Sequence, residues 1–174
     1  YLDLLSGFGV FALGRNHPVI VQALQDVLSI DLPNLVQLDV SVLSGLLAEK
    51  LVSLSPKGLD RVFFANSGTE TIEAAIKFSR YATGKPKIIY CRGGYHGLSL
   101  GSLSATGDTH YKEGFGPLVP DFIEIPFGDL SALEEALSQR DVAAFITEPI
   151  QGHGVWIPAD DYLPKAAELV RHYG

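Results

Sequence analysis

A chain of 174 residues with 47% hydrophobic and 19% charged residues is long enough for one folded domain and too apolar to be disordered. Its net charge of −7, without any basic block, argues against nucleic acid and anionic membranes as partners. No apolar run is long enough to span a bilayer and no secretory signal opens the chain.

The sole cysteine, Cys91, excludes an intramolecular disulfide and fits a reducing compartment such as the cytoplasm. The sequence has no Met, and Gly174 follows the last helical pattern as a glycine that leads onward. Both features lead us to expect a segment of a longer protein.

In chain order, residues 1–5 read as a short strand and 6–16, with Gly7, Gly9 and Gly14, as a loop. Pro18 can open a helix, and Ile20, Ala23, Leu24, Val27 and Leu28 recur at helical spacing until residues 32–34 break it. A second helix from about Ser41 carries the stripe Leu43, Leu46, Leu47, Leu51 and Leu54, ending at 56–58. Residues 61–65 (Arg-Val-Phe-Phe-Ala) are too short for a helix and rich in β-formers, so they predict a strand. The helix after them sets Ile72, Ala75, Ile76 and Ser79 on one face and a Glu73–Lys77 pair on the other, and Gly84 closes it. Residues 87–91 predict a strand, which a long glycine-rich stretch, 93–116, follows; 121–125 predict a strand and 130–138 a helix. Residues 142–147 predict a buried strand, and Leu163, Ala166, Ala167 and Val170 mark the last helix. Alternation of apolar strands with helices predicts an α/β fold with a mostly parallel sheet flanked by helices.

Ligands of such sheets sit beyond the carboxyl ends of the strands. Three of those ends carry unusual residues: 66–70 (Asn-Ser-Gly-Thr-Glu), 93–97 (Gly-Gly-Tyr-His-Gly) and 148–152 (Glu-Pro-Ile-Gln-Gly). Ser67 with Glu70 is a capping box, which needs no ligand. The same segment suits an anion, since Gly68 lets backbone approach, helix-start amides point outward and Ser67 and Thr69 bear hydroxyls. The two readings are compatible. Tyr95 is either a half-buried loop residue or a platform for a flat ring. No carboxylate at a recognisable spacing orients His96 as a base. Glu148 is either solvated or close enough to a ligand to tune its charge. The histidines and Cys91 lack metal-ligand spacing, so we expect no metal. No G-x-G-x-x-G follows a strand and no G-x-S-x-G is present, which disfavours dinucleotides and the α/β-hydrolases.

Taken together with residues 14–18 (Gly-Arg-Asn-His-Pro), 63–70, 73–77 and 103–107, these ordered motifs resemble the class III, or ω-amino acid type, aminotransferases. Those are pyridoxal-phosphate enzymes of fold type I. The resemblance implies that residues 59–174 are part of the cofactor-binding large domain and that 1–58 are a mainly helical segment packing on or next to it. It implies pyridoxal 5'-phosphate as cofactor, its phosphate held by Ser67, Gly68 and Thr69. It implies Tyr95 stacked on the pyridine ring, His96 beside it and Glu148 near the ring's polar edge. It further implies a homodimer that moves an amino group from an amine or ω-amino acid to a 2-oxo acid. An aminomutase, another pyridoxal-phosphate reaction, or a non-catalytic truncated remnant that binds the cofactor are the alternatives.

The family's Asp partner of the pyridine nitrogen and its Schiff-base Lys have no counterpart here. No lysine present, Lys77 included, matches, so no catalytic residue is expected in this segment and the Schiff-base Lys is expected beyond Gly174. Leu98 stands where ornithine-type members often carry Arg, and His153 where many carry Glu, which favours diamine or ω-amino substrates.

Overall fold

The structure, a computed structural model, describes residues 1–30 and 41–174, so the predicted helix break at 32–34 lies outside the described residues. The described chain falls into two compact units, Tyr1–Phe63 and Phe64–Gly174.

In the first unit the chain starts in turns, not the predicted strand. Asp3 Oδ1 accepts from the N–H groups of Leu5 and Ser6 at 3.0 and 2.9 Å, which curls the backbone back on itself. Helix α1 spans Pro18–Leu28, with proline in its first turn where a missing N–H costs nothing. Helix α2 spans Val42–Leu54.

The second unit is a three-layer α/β arrangement. Helix α3 (Gly68–Thr83) is capped at its start by Ser67 and ended by Gly84 in the left-handed conformation at φ 68°. Strand β1 (Lys87–Cys91) is central, paired in parallel with β2 (Phe122–Ile125) on one side and β3 (Val142–Ile146) on the other. Register runs Ile88 with Phe122 through Cys91 with Ile125, and Ile88 with Ala144 through Tyr90 with Ile146. The alternating pleat sends Ile89 and Cys91 to one face, where they meet Ile125, Leu133, Leu137, Val142 and Ala166. Helices α5 (Leu130–Leu137) and α6 (Tyr162–Tyr173) supply the last side of that core. Full burial of Leu133 alone is worth about 1.5–3 kcal/mol. The other face is covered from α3 and from α4 (Leu100–Ala105), whose Leu103 and Ala105 are buried. There Lys112 Nζ donates to the Tyr90 hydroxyl at 3.1 Å and to the Ser104 carbonyl at 3.3 Å. Burial, with Glu124 nearby, pushes the Tyr90 phenol up to about 12.

Two further expectations, the strand at 61–65 and the Glu73–Lys77 pair, are corrected. Residues 61–65 form no strand; among the described residues the sheet consists of β2, β1 and β3, and a β-rich run becomes a strand only where its backbone joins such an edge. The glycine-rich stretch 93–116 contains α4 and a 3₁₀ turn at Thr109–Lys112. Glu73 does not lie on an exposed face toward Lys77; it is turned into the start of α4, where three donors meet it. Among the described residues no helix is long and apolar enough to cross a membrane.

Candidate functional site

The start of α3 and the loop after β1 form the walls of one cleft of about 680 Å³, within the usual range for a small-molecule site. Ser67, Gly68, Thr69, Tyr95, His96 and Leu98 all line it. Glu148, at the end of β3, joins the same cluster: its Oε2 accepts from the Tyr95 N–H at 3.1 Å and its Oε1 from the Gly152 N–H at 3.0 Å.

At the α3 wall, the capping box forms. Ser67 Oγ accepts from the Glu70 N–H at 3.3 Å and donates to Glu70 Oε2 at 3.1 Å, while that carboxylate also accepts from the Asn66 N–H at 2.9 Å. The Thr69 hydroxyl faces Ser99 and Ser102, with Ser99 Oγ at 2.9 Å. Both hydroxyls therefore have protein partners, a use that the capping box announced for Ser67 and nothing in the sequence announced for Thr69. What the first turn leaves over is backbone, since the N–H groups of Gly68 and Thr69 have no carbonyl one turn back. A Cβ at Gly68 would meet no atom within 4 Å, so the helix dipole and these amides open onto free space.

The opposite wall is the loop 93–97. Tyr95 is 43% exposed, and its ring meets Tyr111 in a T-shaped contact with centroids 5.4 Å apart. His96, the next residue, is 9% exposed, and its Nε2 is buried without a hydrogen-bond partner. Burial holds the His96 imidazole below its ordinary range against the opposing field of Glu148, so it is neutral at pH 7. The carboxylate beside His96 comes from another strand end, which is why no sequence spacing revealed it.

The loop is held from behind. His96 N–H donates to Thr106 Oγ1 at 3.1 Å. Gly93 N–H donates to the Gly107 carbonyl at 3.1 Å, and Gly107 N–H to the Gly94 carbonyl at 2.7 Å. Gln151, almost fully buried, donates from Nε2 to the Arg92 carbonyl at 2.7 Å and so ties the 148–152 turn to the same loop. Thr106, Gly107 and Gln151 were absent from the sequence-derived site residues; only the motifs around them were visible. His153 Nδ1 lies 3.6 Å from Asp108 Oδ2 at the surface. Among the described residues no group of three or more His, Cys, Asp or Glu is arranged to hold a metal.

Comparison with known proteins places these motifs in a family. A family model described as Aminotransferase class-III matches residues 1–174. The aminotransferase PigE of a Serratia species is 42% identical over 98% of this chain and 20% of its own length. The acetylornithine aminotransferase of Methanopyrus kandleri is 42% identical over 100% of this chain and 44% of its own length. The crystal structure of the ornithine aminotransferase from Toxoplasma gondii superimposes with a TM-score of 0.91 at 32% identity, over 99% of this chain and 42% of that one. The chain thus spans less than half the length of these relatives.

Proposed function

Because this chain belongs to the class-III aminotransferase family, we propose that it supplies the phosphate-facing and ring-facing walls of a pyridoxal-phosphate site. The whole protein then moves an amino group from an amine or ω-amino acid to a 2-oxo acid. The observation that carries this reading is one cleft lined on one side by the first turn of a 16-residue helix and on the other by the partly exposed Tyr95.

Two features support the fit of the cofactor. The space at Gly68 admits a phosphate against the amides of Gly68 and Thr69, and the unpartnered Nε2 of His96 is a buried polar atom that a polar ligand can satisfy. The cofactor, when bound, supplies the electron sink for chemistry at the substrate's amino-bearing carbon. The protein's part is to hold and orient. The α3 amides bind the phosphate with Ser67 and Thr69 shaping the turn, and Tyr95 offers its face to the ring. Neutral His96 packs the loop without adding charge, and Glu148 places a negative charge at the far end while fixing the Tyr95 backbone. Leu98 gives the mouth an apolar wall, 55% exposed, where an arginine would clamp a second carboxylate. That supports amine and ω-amino acid donors.

In this reading residues 59–174 are the cofactor-binding part of the large domain, the Schiff-base lysine is contributed from beyond Gly174, and the protein is a cytoplasmic homodimer. The test is to purify the full-length protein and measure pyridoxal-phosphate binding together with amino transfer from a panel of diamines, ω-amino acids and ornithine to 2-oxo acids. Turnover with the first two groups supports the reading. Binding without any turnover would reduce the protein to a cofactor-binding relative, and failure to prefer pyridoxal phosphate over pyridoxal would remove the site itself.

A further inference from the structure

Glu73 lies one turn inside α3, away from the cleft, and its Oε1 accepts three hydrogen bonds from the start of α4: from Ser99 Oγ, from Gly101 N–H at 2.8 Å and from Ser102 N–H at 3.0 Å. Ser99, the residue that precedes α4, makes no side-chain cap of its own. The cap of α4 is therefore supplied across space by α3. Two glycines clear the way. A Cβ on Gly101 would overlap the Glu73 carboxylate, and one on Gly97 would crowd the Thr69 side chain and Ser102 Oγ at 2.8 Å. The consequence reaches the cleft through Thr69. Ser99 commits its hydroxyl proton to Glu73, so Ser99 Oγ faces Thr69 with its lone pairs, and Ser102 can give its own proton to the Ser99 carbonyl at 3.1 Å. Thr69 Oγ1 in turn accepts from the Ser99 N–H at 3.2 Å and directs its proton inward.

We propose that Glu73 is a positioning residue for the cofactor's phosphate. Through Ser99 it fixes the Thr69 hydroxyl against the start of α4 and so fixes the Gly68–Thr69 amides at the cleft wall. The inference rests on the pyridoxal-phosphate reading above. The link from Glu73 to Thr69 runs through Ser99, while Ser102 also meets the other wall through Thr106, which accepts from the His96 N–H, so affinity for pyridoxal is the control that separates the phosphate wall from the ring wall.

The experiment uses the full-length protein, as wild type, Glu73→Gln, Thr69→Val and the double variant, and measures affinity for pyridoxal phosphate and for pyridoxal, which lacks the phosphate. Losing the charge that anchors the network should cut the preference for pyridoxal phosphate by about tenfold. Thr69→Val should do the same, and the double variant should lose no more than either, because both act through one link. Equal weakening of both ligands, or a lower melting temperature with an unchanged preference, would mean a purely structural cap and overturns the proposal. If Glu73→Gln does not fold, Ser99→Ala cuts the same link while leaving the two amide bonds to Glu73 in place. An unchanged preference in that variant overturns the proposal equally. A wild type without preference for pyridoxal phosphate overturns the site reading and this inference with it, whereas a wild-type preference retained in all variants overturns the inference alone.

Discussion

Replacing Gly68 by Val separates the fold from the phosphate site. Gly68 lies in the first turn of α3, its backbone is outside the left-handed region, and a Cβ there meets no atom within 4 Å. The folded state therefore accommodates the side chain. Restricting the unfolded chain stabilises by about 0.4–1 kcal/mol, and a β-branched residue in a helix costs about 0.5 kcal/mol. The net change should stay within about 0.5 kcal/mol, or a shift of very few degrees in melting temperature. Binding should behave differently. The two methyl groups occupy the space through which a phosphate reaches the Gly68 and Thr69 amides. A hydrogen bond from an amide to a charged oxygen contributes about 1.5–3 kcal/mol. Loss of one weakens affinity about tenfold to a hundredfold, and loss of both compounds the effect. The assay is equilibrium dialysis of the full-length protein against pyridoxal phosphate and pyridoxal, with thermal unfolding in parallel. Wild-type affinity for pyridoxal phosphate in a folded Gly68→Val protein would refute the argument that these amides hold the phosphate.

Three further outcomes follow from the packing. Gly107→Ala places a Cβ 2.6 Å from the Gly93 nitrogen and 2.9 Å from the Arg92 carbonyl carbon, both backbone atoms that cannot swing aside; urea unfolding should show a loss of about 1–3 kcal/mol. Leu133→Ala empties a fully buried position between the sheet and α6 and should cost about 2–5 kcal/mol in the same assay. Burial lowers the His96 pKa from 6.5, so below that pH the unfolded chain binds a proton that the folded one refuses, and stability falls as pH drops through 6.5 until the folded imidazole also titrates. Unfolding free energy measured from pH 7.5 to 5 should show this slope in the wild type and a shallower one in His96→Gln; identical slopes would mean that His96 is not held neutral.

Local chemistry was legible along the chain. Strands at Lys87–Cys91 and Val142–Ile146 stand where short β-rich apolar runs lie between amphipathic helices, and the closing glycine and capping serine of α3 are set by residues within a few positions of one another. The same local reading brought Ser67, Gly68, Tyr95, His96 and Glu148 forward as residues at element ends. It could not say that residues 61–65 stay outside the three-stranded sheet of the described residues, that a six-residue helix hides in the glycine-rich stretch, or that Glu73 leaves its helical neighbour Lys77. Each of those depends on a partner distant in sequence. A β-rich run becomes a strand only beside another backbone. A short helix of small residues, too weak to form alone, persists because a carboxylate from α3 caps it and the sheet buries it. The carboxylate itself chooses three convergent donors over one solvated ammonium, since charge-assisted bonds out of water outweigh an exposed ion pair. Sequence spacing reports the face a side chain starts from; what it meets is decided by the elements folded against it.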